Sequence, residues 1–216
     1  MVSTLYIIFG LILLGIMISV IWRLVSNRQE LPCPSWLGWM VELDNPFTRV
    51  NRAEVIIEHL ALTPGMKVLD AGCGPGRLTL PLAKAVGPHG EVTAMDVQAE
   101  MLARVREKVQ AARLQNVRFL EAGLGERKLQ EDYYDRALLV TVLGEIPDQE
   151  AALAEIFRAL KPGGILSVTE IIFDPHFQRA ETVLRIAEAT GFRKVNSFGK
   201  RLTYTMHLEK SAGSIA

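Results

Sequence analysis

The spacing of hydrophobic and polar positions changes several times along this chain, and each change predicts an element. From Leu5 to Trp22 nearly every position is apolar, and no side chain before Arg23 is charged. Apolar character that runs all round a helix, not down one stripe, predicts a segment buried on every side. A helix over residues 2–22 spans about 31 Å at ~1.5 Å per residue, close to the ~30 Å hydrocarbon core of a bilayer. The expectation is a transmembrane helix within residues 1–25, with a buried globular-core helix as the alternative. The first basic residues, Arg23 and Arg28, follow the apolar run. No basic residue precedes it and no small-x-small site follows, which argues against a cleaved signal peptide. The positive-inside rule then places the remaining 191 residues (216 − 25) on the cytoplasmic side of a single-pass membrane protein. Residues 26–45 read as a Pro-rich, membrane-proximal linker. All three tryptophans (Trp22, Trp36 and Trp39) fall in this front section. Tryptophan favours the headgroup layer, so residues 31–40 fit the membrane face or the mouth of a site as well as they fit the domain's own core.

Beyond the linker, residues 46–216 form one predicted domain. A helix over 46–61 carries Val50, Ile56, Ile57 and Leu60 on its apolar side. A regular alternation follows: strand Lys67–Asp70, helix Leu78–Val86, strand Glu91–Asp96, helix Ala99–Arg113 and strand Val117–Glu121. Next come strand Asp135–Thr141 and helix Asp148–Leu160, which Lys161-Pro-Gly-Gly ends sharply. The chain closes with strand Ile165–Glu170, a helix near Arg179–Thr190, and two strands near Lys194–Phe198 and Tyr204–Glu209. Strands alternating with helices predict an α/β fold: a Rossmann-like, seven-stranded, mostly parallel sheet with helices on both faces. Ala137–Val142 is an unbroken apolar run, as expected of a parallel strand covered on both sides. Ligands of such sheets bind beyond the carboxyl ends of the strands. Asp70, Asp96, Gly123 and Thr141 all fall there.

Composition narrows the function classes. Net charge is zero, with 24 basic and 24 acidic side chains, so nothing argues for wrapping nucleic acid. Cys33 and Cys73 are the only cysteines, too few and too differently placed for a disulfide framework or a metal cluster. They suit a reducing compartment.

The chemistry concentrates at Met66–Gly76, Met-Lys-Val-Leu-Asp-Ala-Gly-Cys-Gly-Pro-Gly. An apolar strand ends in Asp70 and runs into alternating Gly72, Gly74 and Gly76. Such glycines permit a tight bend and close ligand approach to the main chain. A dinucleotide fingerprint spaces its glycines G-x-G-x-x-G; here the loop is G-x-G-x-G, with Arg77 in the third fingerprint place. The Gly-Lys-Ser/Thr ending of a phosphate-binding loop is absent. Together with Ala-Met-Asp (94–96) and Leu-Lys-Pro-Gly-Gly-Ile-Leu (160–166), this chain resembles a class I S-adenosylmethionine-dependent methyltransferase. The likeness covers about residues 66–170, extends through the final helix and strand pair, and leans toward the quinone-biosynthesis and small-molecule branch.

The resemblance implies S-adenosyl-L-methionine as cofactor. Gly72, Cys73, Gly74 and Gly76 would line its amino-acid end, with Asp70 fixing the loop. Asp96, 24 residues after Gly72 (96 − 72), would accept both ribose hydroxyls. Val97 and Met101 would pack the adenine, Ala122 and Gly123 would border its edge, and Thr141 would meet the methionine portion through its backbone. The family often has an acid where Gly123 stands, which leaves the adenine amino contact open. The plainer alternatives are that Asp70 caps the following helix or satisfies loop amides, and that Met101 is core. A base is needed only if the acceptor must lose a proton. Glu145, past strand four, and His176, past strand five, are the candidates, with His59 a third. A membrane tether concentrates lipid-soluble acceptors, so the expected partner is a small lipophilic acceptor: a quinone precursor, a lipid headgroup or a thiol. An NAD(P)-dependent oxidoreductase, or a non-catalytic anchored scaffold, are the alternatives.

Overall fold

The computed structural model describes residues 49–211, together with Tyr6, Phe9, Gly10 and Met17. The expected 2–22 helix as a whole, the linker and the tryptophans lie outside the described residues. Tyr6, Phe9 and Met17 are helical and expose 72%, 60% and 52% of their surface. Among the described residues no helix is long and apolar enough to cross a membrane.

The domain alternates α1 (Ala53–Leu60), β1 (Lys67–Ala71), α2 (Thr79–Val86), β2 (Glu91–Asp96), α3 (Ala99–Ala111), β3 (Val117–Glu121) and β4 (Tyr134–Val140). It continues with α4 (Gln149–Ala159), β5 (Leu160–Ile171), α5 (Ala180–Ala189), β6 (Phe192–Lys200) and β7 (Thr203–Lys210). The sheet order is β3-β2-β1-β4-β5-β7-β6. The first five strands in that order are parallel, and β7 enters antiparallel to both β5 and β6. Strand order reverses between β1 and β4, which opens a crevice above their carboxyl ends.

Alternate side chains of each strand feed opposite faces. On one face Leu69, Leu139, Leu166, Val168 and Met206 pack against Leu153 and Ile156 of α4 and Val183 and Ile186 of α5. On the other, Val68, Val92 and Leu138 pack against Ile56 and Leu60 of α1 and Leu82 and Val86 of α2. Ala94 meets Leu102, Val105 and Val109 of α3.

Three differences from the sequence expectation stand out. The described part of the 46–61 helix breaks into a 3₁₀ turn, Arg49–Asn51, and α1. The Asn51 carbonyl accepts the Arg77 guanidinium at 2.7 Å instead of serving a helix, and Arg52 is extended. The expected Lys161-Pro-Gly-Gly turn is instead the bulged start of β5: Leu160 already pairs with Tyr134, and the register slips between Tyr134 and Arg136. Asp135 holds the bulge, accepting Lys161 Nζ at 2.6 Å and the Lys67 amide at 2.8 Å. β6 is longer than 194–198, an edge strand whose exposed Arg193, Lys194 and Lys200 guard it against pairing with another chain.

The buried Glu155 of α4 reaches toward the loop after β3, accepting Gly125 N–H at 2.5 Å and Leu129 N–H at 3.0 Å. That loop borders the crevice, so a core carboxylate sets its course. Glu155→Leu strands two amides, a loss of about 2 kcal/mol, measurable by urea unfolding. Unchanged stability would mean the loop holds itself.

Candidate active site

β1 delivers Asp70 to the crevice floor, and the chain then bends on glycine. Gly72 has φ +67°, and a Cβ there would meet Val142 Cγ2 at 2.5 Å. Only glycine fits this turn. The Gly72 and Cys73 amides both donate to the Met95 carbonyl, at 2.8 and 3.0 Å, fastening the bend to the end of β2. Asp96 closes it from the other side. Its Oδ2 accepts Gly74 N–H and its Oδ1 accepts Gln98 N–H, each at 2.9 Å. One carboxylate thus ties the β1 bend to the start of α3. A Cβ on Gly74 would meet no atom within 4 Å. This is the open approach to main chain that a bound group requires.

Asp70 lies beneath the bend. It is buried, and its Oδ2 accepts the Thr79 hydroxyl at 2.6 Å, fixing the first residue of α2. Burial raises its pKa to about 6 despite that bond and the nearby Arg77. Asp96 is likewise pushed up by burial, against the pull of its backbone donors. Burial also drives the Cys73 thiol upward, which makes it a small filler and not a nucleophile.

Other sequence candidates fall round the same rim. Val97 is 56% exposed beside Gly123, whereas Met101 sits on the buried side of α3 and Ala122 is buried. Gly123 donates to Glu126 Oε1 at 3.1 Å, and a Cβ at position 123 would lie 2.9 Å from that oxygen. Thr141, expected as the last residue of its strand, lies just past β4 with φ +56°, a left-handed conformation that a β-branched residue adopts at a cost of about 1–3 kcal/mol. Its amide donates to the Thr169 carbonyl at 2.8 Å.

A second cluster forms past β4 and β5. Glu145, in a 3₁₀ turn, and His176, after β5, lie 31 residues apart (176 − 145) yet approach to 3.7 Å between Oε1 and Nδ1. Asp174 Oδ1 accepts the His176 backbone N–H at 2.7 Å and lies 4.0 Å from its Nδ1. Gly144 makes the approach possible, since a Cβ there would overlap the His176 carbonyl oxygen. His59 does not join them; it stacks on Phe198 with ring centroids 3.6 Å apart.

Glu170, not among the candidate site residues expected from the sequence, completes this cluster. It is buried at the end of β5, and its Oε2 accepts Gln178 N–H at 3.1 Å while its buried Oε1 has no hydrogen-bond partner. Burial, with Asp174 and Glu145 nearby, lifts its pKa to about 8. Its signal in the sequence is positional: like Asp70 and Asp96, it is an acid at a strand's carboxyl end.

Residues 62–206 match the family described as methyltransferase domain. Demethylmenaquinone methyltransferases of Staphylococcus aureus strains JH9 and Newman are each 36% identical over 115 residues, 53% of this chain and 47% of theirs. The chain thus spans about half the length of these relatives. Among solved structures, a SAM-dependent methyltransferase from Aquifex aeolicus superposes with a TM-score of 0.73 at 24% identity, covering 82% of this chain and 99% of that one. The cyclase SpnF superposes at 0.69 with 18% identity, covering 84% and 97%. A cyclase on this fold shows that architecture alone does not fix the reaction. The chain belongs to the methyltransferase domain family. The open bend above Gly74 and the carboxylate of Asp96 fit the S-adenosylmethionine expected from the sequence.

The shifted acids set the pH dependence of stability. Glu170 rises from 4.5 to about 8 and Asp70 from 3.8 to about 6. Both hold their protons more tightly folded than unfolded. Their contribution is complete below the unfolded values and is lost as pH rises through the folded ones. His207 runs the other way: burial, with His59 and Arg136 nearby, lowers it from 6.5 to about 4, so its contribution is lost as pH falls through that interval. Between pH 6.5 and 8, Glu170 therefore governs the decline. Glu170→Gln should flatten thermal melts across that window, removing a fall of about 2 kcal/mol at most; parallel curves for the two proteins would refute the assignment.

Proposed function

We propose that this protein transfers the methyl group of S-adenosylmethionine to a small lipophilic acceptor at a membrane, with the catalytic domain on the cytoplasmic side. The observation that carries the cofactor reading is Asp96, whose two oxygens each hold one backbone amide at the lip of an open glycine bend. A carboxylate has about four lone-pair sites, so both oxygens can still accept a ribose hydroxyl. Gly72, Cys73, Gly74 and Gly76 line the amino-acid end, and Asp70 holds the loop from beneath through Thr79. Val97 offers an apolar platform to the adenine with Met101 behind it, and Ala122 and Gly123 form the edge. Glu126 stands where a side chain at position 123 would reach and supplies the acceptor for the adenine amino group. Thr141 presents its strained backbone to the methionine portion.

The bound sulfonium supplies an already activated methyl group. The protein aligns the acceptor and excludes water, which is worth ~7–11 kcal/mol when geometry is near in-line. His176 takes the proton of an acceptor hydroxyl or thiol. Glu145, whose Oε1 lies 3.7 Å from Nδ1, and Asp174, which accepts the His176 amide, hold the ring in place. Two things support a lipophilic acceptor: the demethylmenaquinone methyltransferases among the Staphylococcus aureus relatives, and the uncharged run from Leu5 to Trp22. Tyr6, Phe9 and Met17 expose apolar side chains that hydrocarbon covers better than water.

Two variants separate folding from binding. Gly74→Ala finds open space, so it folds at a cost of about 1–2 kcal/mol for its left-handed backbone, yet its methyl projects into the bend. It should weaken S-adenosylhomocysteine binding at least tenfold by calorimetry, as should Asp96→Ala. Wild-type affinity in both folded variants would remove the cofactor from this bend. His176→Asn should lower kcat by about 10²–10³ with membranes and radiolabelled cofactor, and recover as pH rises and the acceptor ionises unaided. A pH-independent defect would reduce His176 to packing.

A further inference from the structure

Phe173 and Leu202 are 67% and 60% exposed. They belong to different segments, the chain leaving β5 and the turn joining β6 to β7, and the fold brings the two together. Ile171 pairs with Thr203, Lys200 pairs with Thr203, and the Ile172 amide donates to the Leu202 carbonyl at 2.7 Å. Single exposed apolar residues are ordinary, but an adjacent phenylalanine and leucine at one loop tip are an uncovered apolar surface. Lys200 and Arg201, both exposed, precede Leu202 on the same turn. The nearest acid in sequence, Asp174, is turned to its own loop, where it accepts the His176 amide. The tip is therefore apolar and basic together. It lies at the carboxyl end of β5, the end of the sheet that carries the crevice.

We propose that Phe173 and Leu202, flanked by Lys200 and Arg201, form an interfacial patch that seats the crevice end of the domain on an anionic lipid surface. The inference rests on the membrane reading above. Charge selects the occupant: Lys and Arg near an anionic leaflet each gain about one kcal/mol, and apolar side chains beside them enter the headgroup boundary. The entry point of the chain agrees. Arg49–Asn51 packs on β7, and Val50 Cγ2 lies 3.1 Å from the Cβ position of Gly199, the residue before Lys200. The segment that leads back to the apolar amino-terminal run thus enters the domain beside the patch. From Trp22 to Arg49 the 27 intervening steps (49 − 22) reach up to roughly 90 Å. The patch fixes the domain's orientation, turning the mouth of the crevice toward the layer in which a lipophilic acceptor dissolves.

The test uses the full chain with phosphatidylcholine vesicles, with and without phosphatidylglycerol. Co-sedimentation with the neutral vesicles reads the anchor. Hydrogen exchange of the amides in 172–174 and 199–203 reads the patch. Protection of those amides should appear on phosphatidylglycerol vesicles and fade at high salt. It should fall about thirtyfold in Lys200→Gln/Arg201→Gln and vanish in Phe173→Ser/Leu202→Ser, with sedimentation unchanged in all variants. These exposed positions leave the core intact, so thermal melts should match wild type. A chain that sediments but gains no protection there overturns the patch and spares the anchor. Protection that survives both double variants, or that an acidic protein produces while anionic vesicles do not, overturns it too. A chain that stays off neutral vesicles yet shows salt-sensitive, Phe173-dependent protection on anionic ones overturns the anchor and supports the patch.

Discussion

One carboxylate organises the cofactor crevice. Asp96 ends β2 and holds two amides at once, Gly74 of the β1 loop and Gln98 at the entry to α3. Two neighbouring βα units are thereby locked at a common edge, and charge-assisted bonds of this kind are about twice as strong as neutral ones. The bend it holds is open above Gly74 and closed beneath Gly72, where Val142 leaves no room for a Cβ. Without Asp96 the glycines would still permit a bend, but nothing would choose its direction.

The acids at strand ends are held at a cost. Burial pushes Asp70, Asp96 and Glu170 up, so ionising them in place opposes folding. Each is instead used by a local structure: Asp70 sets the start of α2 through Thr79, and Glu170 holds the loop carrying His176 through Gln178. Thr141 adds backbone strain at the end of β4. Strain and buried charge gather at the carboxyl edge of the sheet, while the apolar interior between the helices is ordinary core. That division is what a site built on a rigid scaffold looks like.

Most of the fold is written locally in the sequence. β2 and β3 have the limits expected, and Asp148, expected inside the helix, instead caps α4 by accepting the Ala151 amide at 2.9 Å. Where the sequence misleads, long-range contacts decide. Lys161-Pro-Gly-Gly reads as a turn, yet Asp135, a residue of another strand, makes it a bulged strand. The helix expected through residue 49 breaks because Arg77 takes the Asn51 carbonyl. The glycine bend and Asp96 were legible because a short motif encodes them. Glu145 and His176 could be named singly, but their 3.7 Å approach depends on the missing side chain of Gly144. Glu170 carried no role that the sequence could assign. Its meaning comes from burial, and burial comes from the loop packed over it.

The most direct measurement is a crystal structure of the protein soaked with S-adenosylhomocysteine. The ribose hydroxyls should lie on Asp96 and the amino-acid end over Gly74. An empty bend, or ordered ligand at another site, would contradict it.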